Sequence, residues 1–91
     1  MKTVAIERGT LVISLAGHDG GKAFAVLKTE GEYVYLADGR TRKISSPKRK
    51  KIKHIKPLNV KIDLDAYERS GGLTDGALIN EIKKNLNKNG G

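Results

Sequence analysis

The clearest candidate for chemistry in this chain is a run of positive charge between Arg40 and Lys56. The run reads RTRKISSPKRKKIKHIK and holds nine of the 18 Lys and Arg residues, with no Asp or Glu. The rest of the chain carries nine basic and 10 acidic residues, so the formal net charge of +8 is local to this run. Lys or Arg near a phosphate displaces condensed counterions, which makes a polyanion the first partner to consider. The other interpretation is a solvated, disordered basic loop.

A second candidate is the glycine-rich turn GHDGGK, from Gly17 to Lys22. Backbone N–H groups of such a turn can bind phosphate oxygens, and Lys22 adds a point charge. The alternative is a hairpin that needs unusual backbone angles and has no ligand. The turn does not match a nucleotide-binding P-loop, because it lacks the GKS/T ending and the helix that would follow.

Histidines and tyrosines extend this set of candidates. His18 lies in the glycine-rich turn and His54 in the basic run, where an imidazole can stack on a base or bond to a phosphate; solvated surface histidines are the alternative. Tyr33 and Tyr35 share one face of a predicted strand and would stack on unpaired bases if exposed. Because Phe and Tyr together number only four, we expect at least one of these tyrosines to be buried.

Residue types suited to catalysis or metal binding are present but poorly arranged. Ser14, His18 and Asp19 are the types of a hydrolase, yet neighbouring residues in a turn point apart and no oxyanion hole is evident. His18, Asp19 and Asp38 lack the spacing of a metal site. The chain has no cysteine, which excludes disulfides and zinc ribbons. We therefore predict a non-catalytic protein with no metal and no cofactor.

Size and composition indicate one small domain. With 91 residues, of which 37% are apolar, the chain can bury only a modest core. The N-terminal segment lacks the apolar core of a signal peptide, and no stretch approaches the roughly 20 apolar residues of a membrane span. These features predict a soluble, cytoplasmic protein that is monomeric when free.

Alternating apolar residues predict a small β-barrel that holds these candidates. The first strands are expected at 9–17, 22–28 and 33–37. Asp38-Gly39 is a two-residue hairpin signal, so a fourth strand is expected over 40–44. Pro47 interrupts that strand and places the start of KRKK on a loop, and a closing strand is expected within 52–62.

The last third of the chain predicts helices. One helical turn is expected within 63–69, and Thr74 is a favourable N-cap for a longer amphipathic helix of about three to four turns. Its apolar stripe consists of Leu78, Ile79, Ile82 and Leu86. The stripe should cover the barrel, or else contact a partner protein or a second copy. The predicted division is 1–63 for the barrel, with the basic segment at 40–56, and 64–91 for the helices and a frayed tail.

Part of the chain resembles a known family. The segment from Gly9 to about Gly39 resembles a KOW motif, in which a strand, a glycine-containing turn with a basic residue and a second strand follow one another. The longer pattern of SLAGHDGGKAFAVLK, YVYLADGRTRK and SPKRKKIKHIK is similar to small bacterial KOW-domain RNA-binding proteins, which resemble large-subunit ribosomal proteins of archaea and eukaryotes. The resemblance covers roughly residues 7–58, and LTDGALINEIKKNL fits the C-terminal helix of such bacterial members.

The resemblance implies a mainly β fold, namely an SH3-like β-barrel of the KOW type with a C-terminal amphipathic helix. It also implies that the protein binds RNA, with ribosomal RNA as the leading target. The predicted RNA-binding residues are Gly17, His18, Gly21, Lys22, Arg40, Arg42, Lys43, Lys48, Arg49, Lys50, Lys51, Lys53, His54 and Lys56. Two alternatives stay open. One is a protein-interaction module whose helix stripe contacts a ribosomal or ribosome-associated protein, and the other is a KOW domain that acts near the transcription machinery.

Overall fold

Alternating apolar residues produce antiparallel strands in the computed structural model, which describes residues 6–18 and 20–90, with only the backbone for 87–90. The strands are β1 (Thr10–Ser14), β2 (Ala23–Glu30), β3 (Tyr33–Ala37), β4 (Lys48–Lys51) and β5 (Ile55–Lys61). A 3-10 turn (Ile52–His54) joins β4 to β5, and helices α1 (Leu64–Arg69) and α2 (Asp75–Gly90) follow. The strands form one sheet in the order β4-β3-β2-β1-β5. The fold is therefore mainly β with a C-terminal helix, as predicted.

One face of the sheet is buried although neither of the two described α-helices lies against it. Its core consists of apolar side chains from four strands, namely Val12, Phe24, Val26, Val34, Leu36 and Ile55. Each of them is at most 5% exposed. Burial on this face requires the sheet itself to curl around the cluster, with the partly buried Ile6 and Ile52 packed against it.

The opposite face of the sheet carries the helices. This second core joins strand and helix residues, namely Leu11, Ala25, Ala37, Ile62, Leu64, Leu78 and Ile82. The alanines of the sheet have small side chains, so α2 can approach the strands closely. Leu78 and Ile82 of the predicted stripe are 1% and 7% exposed, so they contact the sheet, whereas Leu86 is 36% exposed. The helices and the sheet therefore share a core.

Side-chain hydrogen bonds cap the starts of both helices. The Asp63 carboxylate accepts from the backbone N–H of Ala66, and Thr74 Oγ1 accepts from the backbone N–H of Ala77, each at 3.1 Å. Thr74 is thus the N-cap that the sequence predicts. Neither described helix has the length and apolar character needed to cross a membrane. Residues 1–5, Asp19 and Gly91 lie outside the described part of the chain.

The predicted hairpin at Asp38-Gly39 and the predicted strand over 40–44 are wrong. Asp38 closes a loop instead. Its carboxylate accepts three hydrogen bonds of 2.9 Å, from the backbone N–H of Arg40, the backbone N–H of Arg42 and the hydroxyl of Thr41. These bonds hold the chain in a turn, so it cannot extend beside β3. The backbone N–H of Ile44 donates to the Asp75 carboxylate at 2.8 Å, which anchors the loop to α2.

The predicted loop at KRKK is also wrong, because Lys48–Lys51 form β4 at an edge of the sheet. The strand pairs with β3, with Lys51 opposite Tyr33 and Lys48 opposite Leu36. Pro47 precedes the strand, so its missing N–H removes no bond from the ladder. Lysine on an edge strand also resists pairing with another sheet. The strand predicted within 52–62 is confirmed as β5, which lies at the other edge of the sheet.

Candidate nucleic-acid interface

The basic segment, residues 40–56, is distributed over a loop, a strand, a 3-10 turn and the start of β5. Successive side chains of its strand β4 point to opposite faces of the sheet. Lys48 and Lys50 pair with Leu36 and Val34 of β3, which belong to the core that the sheet encloses. The two lysines therefore lie on the enclosed side of the sheet, and their neighbours on β4 lie on the other side.

Lys50 joins the basic segment to the glycine-rich turn, residues 17–22. Its Nζ donates a hydrogen bond of 2.8 Å to the carbonyl of Ala16, 34 residues away along the chain. The backbone N–H of Leu15 donates to the carbonyl of His54 at 2.9 Å. The glycine-rich turn, β4 and the 3-10 turn thus meet on one surface, as an interface built from both predicted segments requires.

The backbone of the glycine-rich turn is engaged in hydrogen bonds of its own. Gly20 N–H donates to the Gly17 carbonyl at 3.1 Å, and Gly21 N–H donates to the Ser14 carbonyl at 2.7 Å. Gly17 and Gly21 have φ angles of +78° and +84°, a conformation that favours glycine. The N–H groups of Gly20 and Gly21 are therefore not available to a phosphate. Gly17, Gly20 and Gly21 leave parts of the turn without a side chain, and His18 and Lys22 are exposed beside them.

Lys22 and Arg40 meet at a second place, a cleft of about 350 Å³ beside α2. Lys83 of α2 is the third cation of this cleft, and sequence reasoning missed it as a site residue. The other lining residues are Ala23, Asp38, Ile79, Ile82 and Leu86. The signal that could have found Lys83 is its position next to Ile82, at the border of the apolar stripe.

The remaining predicted residues lie around these two places. Lys56 of β5 pairs with Ile13, which pairs in turn with Ala23 of the cleft, so Lys56 lies two strands away from the cleft. Lys53 lies beside Lys51 near the β2–β3 turn. The other predicted residues are exposed or half-buried, namely His18, Arg42, Lys43 and His54. The structure therefore distributes the predicted set over several places, with β4 at one edge of the sheet and Lys56 on β5 at the other.

Tyr33 and Tyr35 carry cations over their rings. Lys28 Nζ lies 4.7 Å from the centroid of Tyr35, and the guanidinium carbon of Arg49 lies 4.4 Å from the centroid of Tyr33. Lys51 Nζ lies 5.9 Å from the Tyr33 centroid. Both rings remain partly exposed, so the expectation that one of them is buried is wrong. The helices pack over the alanines of the sheet, and the tyrosines are not part of that core.

Asp38 orders the loop that carries Arg40. Partial burial opposes ionisation of its carboxyl group, but hydrogen bonds from the backbone N–H groups of Arg42 and Arg40 and from the Thr41 hydroxyl favour the charged form. The net effect lowers the pKa of Asp38 below its ordinary value. The carboxylate therefore stays charged at neutral pH and keeps the loop closed beside the cleft.

Ion pairs neutralise two of the cations outside the basic segment, Arg8 and Lys61. Arg8 bonds to the carboxylates of Asp65 and Glu68, each at 2.9 Å, and Lys61 bonds to Glu7 at 2.5 Å. Within the described part of the chain, the four side chains of β4 have no such carboxylate partner. Their charge therefore remains available to an external anion.

The described residues contain no group of three or more side chains that could hold a metal ion. Asp19, which entered the hydrolase and metal interpretations, lies outside those residues.

Comparison of the sequence with protein-family models and with curated proteins finds no match.

Proposed function

We propose that this protein is a non-catalytic RNA-binding protein that holds the RNA backbone at the junction of the basic segment and the glycine-rich turn. The preferred target is ribosomal RNA, and the fold is an SH3-like barrel of the KOW type. The strand order β4-β3-β2-β1-β5 and the curled sheet support the barrel assignment. The resemblance of residues 7–58 to KOW-domain RNA-binding proteins supports RNA as the partner.

The hydrogen bond from Lys50 to the Ala16 carbonyl is the observation that carries this proposal. It joins a basic strand to the glycine-rich turn, with charges displayed from an ordered sheet. A disordered basic tail would lose much conformational freedom when it bound RNA. A strand that is already ordered loses less, so more of the phosphate attraction contributes to affinity.

Phosphates would be held by point charges around glycines that allow a close approach of the RNA backbone. Lys50 lies next to the start of the glycine-rich turn, where it bonds to the Ala16 carbonyl, and Lys22 and Arg40 line the cleft beside α2. Contacts of this kind position the backbone and carry no base sequence directly, so shape governs recognition. With about five phosphate contacts to single-stranded RNA, the logarithm of the affinity should fall with the logarithm of the salt concentration with a slope of about −3 to −4.

Two variants of equal net charge test the role of the turn. Lys22→Gln/Lys50→Gln removes two charges beside it, and Lys61→Gln/Arg69→Gln removes two charges elsewhere on the surface. Fluorescence anisotropy with a ribosomal RNA fragment at about 0.1 M salt should show a loss of about 10-fold or more for the first variant and less than about 3-fold for the second.

Equal losses of RNA affinity in the two variants would show that only net charge matters and would overturn the proposed interface.

The ribosomal target is tested by sedimentation of the tagged protein through a sucrose gradient. At low salt it should travel with ribosomal particles. Protein that stays at the top of the gradient would contradict ribosomal RNA as the target.

The cleft beside α2 favours a second candidate function, a protein-interaction module for a ribosomal or ribosome-associated protein. Ile79 and Leu86 of the helix stripe line this cleft next to three cations. Leu86→Glu changes the cleft but leaves the buried Leu78 in place. Loss of ribosome association with unchanged affinity for protein-free RNA would support this second candidate. If Leu86→Glu keeps both ribosome association and RNA affinity, the cleft is excluded as a protein contact.

A further inference from the structure

We propose that Tyr33, with Arg49 and Lys51 beside it, is a stacking site for an unpaired RNA base. Tyr33 belongs to a surface that we call the tyrosine face, formed by Tyr33 and Tyr35 of β3, Lys28 of β2, and Arg49 and Lys51 of β4. The inference rests on the proposed RNA-binding function. It adds base stacking, an interaction that phosphate-binding lysines do not make.

Cross-strand pairing builds the tyrosine face. Tyr35 lies between Lys28 and Arg49, which are its partners on β2 and β4. Tyr33 lies opposite Lys51. The Arg49 guanidinium reaches diagonally to the Tyr33 ring, 4.4 Å from its centroid, and Lys51 Nζ lies 5.9 Å from the same centroid. Two cations therefore converge on one partly exposed ring.

A β-bulge in β2 turns Lys28 toward this face. The regular register with β3 is interrupted after Val26, and the next pair is Lys28 with Tyr35, so Leu27 is an extra residue in β2. Without the bulge, Leu27 would lie opposite Tyr35 and Lys28 would point to the enclosed core, where an unpaired charge is costly. The bulge thus adds a cation to the tyrosine face, and bulges commonly redirect side chains at functional sites.

The cations over the rings can be exchanged for RNA. An exposed cation–π contact is weaker than the stacking of a base on an aromatic ring. A phosphate is also a stronger partner for a guanidinium or an ammonium than a ring face, because both groups then carry a full charge. A base can therefore take the ring of Tyr33 while Arg49 and Lys51 move to the flanking phosphates. Both exchanges favour the bound state.

Tyr33 is better placed for this role than Tyr35. The Tyr35 hydroxyl donates to the Glu30 carboxylate at 2.9 Å, which puts negative charge beside that ring and repels phosphate. Two cations lie over Tyr33 and one lies over Tyr35. Every base has a π face, so stacking tolerates any base. The site would select unpaired over paired RNA rather than a particular sequence.

Two single-stranded RNA probes of equal length, one normal and one abasic, separate stacking from phosphate binding. The wild-type protein should bind the normal probe more tightly than the abasic one. Tyr33→Leu keeps the apolar bulk but removes the π face, so it should weaken binding of the normal probe by about 5-fold to 150-fold. It should leave binding of the abasic probe unchanged. Tyr33→Phe keeps the ring and should retain wild-type affinity.

Tyr67→Phe is a control for loss of a tyrosine hydroxyl at a residue outside the tyrosine face, because the Tyr67 hydroxyl of α1 donates to the Glu81 carboxylate of α2. It should bind both probes like the wild type. A second readout needs only the wild-type protein and the two probes, so it does not depend on how a variant folds. The nuclear magnetic resonance signals of the Tyr33 ring protons should shift upfield with the normal probe and not with the abasic one.

Three results would overturn the stacking site while leaving phosphate binding intact. They are equal binding of the two probes by the wild type, unchanged binding of the normal probe by Tyr33→Leu, and ring signals that do not respond to the normal probe. If the wild-type protein binds neither the normal nor the abasic probe, the RNA-binding function itself is refuted.

Discussion

Replacement of Gly39 by alanine should destabilise the protein, because this glycine lies where the loop that carries Arg40 meets α2. A Cβ atom at Gly39 would lie 2.4 Å from the carbonyl oxygen of Asp75 and 2.9 Å from Cγ1 of Ile79. The first of these atoms belongs to the backbone of α2, so it cannot turn aside as a flexible side chain could. Gly39 also has a φ of +83°, in the left-handed region that side chains disfavour.

The magnitude follows from three terms. A residue with a side chain in the left-handed region costs about 1–2 kcal/mol, and an overpacked contact costs about 1–3 kcal/mol. Alanine also restricts the unfolded chain, which offsets about 0.4–1 kcal/mol. The free energy of unfolding should therefore fall by about 1–4.6 kcal/mol in Gly39→Ala. For a domain of this size, each 1 kcal/mol lowers Tm by about 4–8 °C.

Gly31→Ala is the matched control. Gly31 has a φ of +60°, and a Cβ there would have no atom within 4 Å. Gly31→Ala therefore has the cost of a side chain in the left-handed region but not the cost of an overpacked contact. Its free energy of unfolding should fall by at most about 1.5 kcal/mol. Urea unfolding followed by circular dichroism measures both variants. Equal losses of stability in the two would refute the close approach of the loop to α2.

Three further outcomes can be checked by the same urea unfolding experiment. Because the pKa of Asp38 is lower in the folded protein than its ordinary 3.8, the unfolded chain binds more protons as the pH falls. The Asp38 carboxylate contributes its full stabilisation above about pH 4, and this contribution is lost as the pH falls through the pKa of the folded protein. Asp38→Asn should remove this part of the pH dependence of the free energy of unfolding. An unchanged pH profile in the variant would contradict the hydrogen-bonded carboxylate. Leu78→Ala should cost about 2–5 kcal/mol and Leu86→Ala less than about 1 kcal/mol, whereas similar costs would argue against the packing of α2 on the sheet. Thr74→Ala should cost about 1 kcal/mol and Thr74→Ser much less, whereas equal costs would show that the hydroxyl does not cap the helix.

Regular apolar periodicity made much of the fold predictable. Alternation along β1, β2 and β3 identifies the strands, because residues such as Val34 and Leu36 must share a buried face. The stripe that contains Leu78 and Ile82 identifies α2 in the same way, and Thr74 marks its start. These features depend on local sequence and on a single nearby apolar surface.

The basic strand and the cation-bearing tyrosines could not be predicted in the same way. KRKK has weak intrinsic strand preference and follows Pro47, so local chemistry favours a loop. Its strand conformation comes from pairing with β3, which a charge pattern does not specify. The bulge at Leu27 is set by the register between two strands, and the loop after Asp38 is anchored to α2 by the hydrogen bond from Ile44 to Asp75, 31 residues away along the chain. Lys28 and Lys83 therefore enter the site only once the strands and helix are assembled.

The salt dependence of RNA affinity tests the central proposal most directly. The wild-type protein and a variant with glutamine at Lys48, Arg49, Lys50 and Lys51 would be titrated with the same single-stranded RNA from about 50 to 200 mM salt. Glutamine keeps part of each side chain but removes the charge. We expect a log–log slope of about −3 to −4 for the wild type, and a slope flatter by about 0.7 for each phosphate that the variant no longer binds. Equal slopes for the two proteins would contradict phosphate binding by the basic strand.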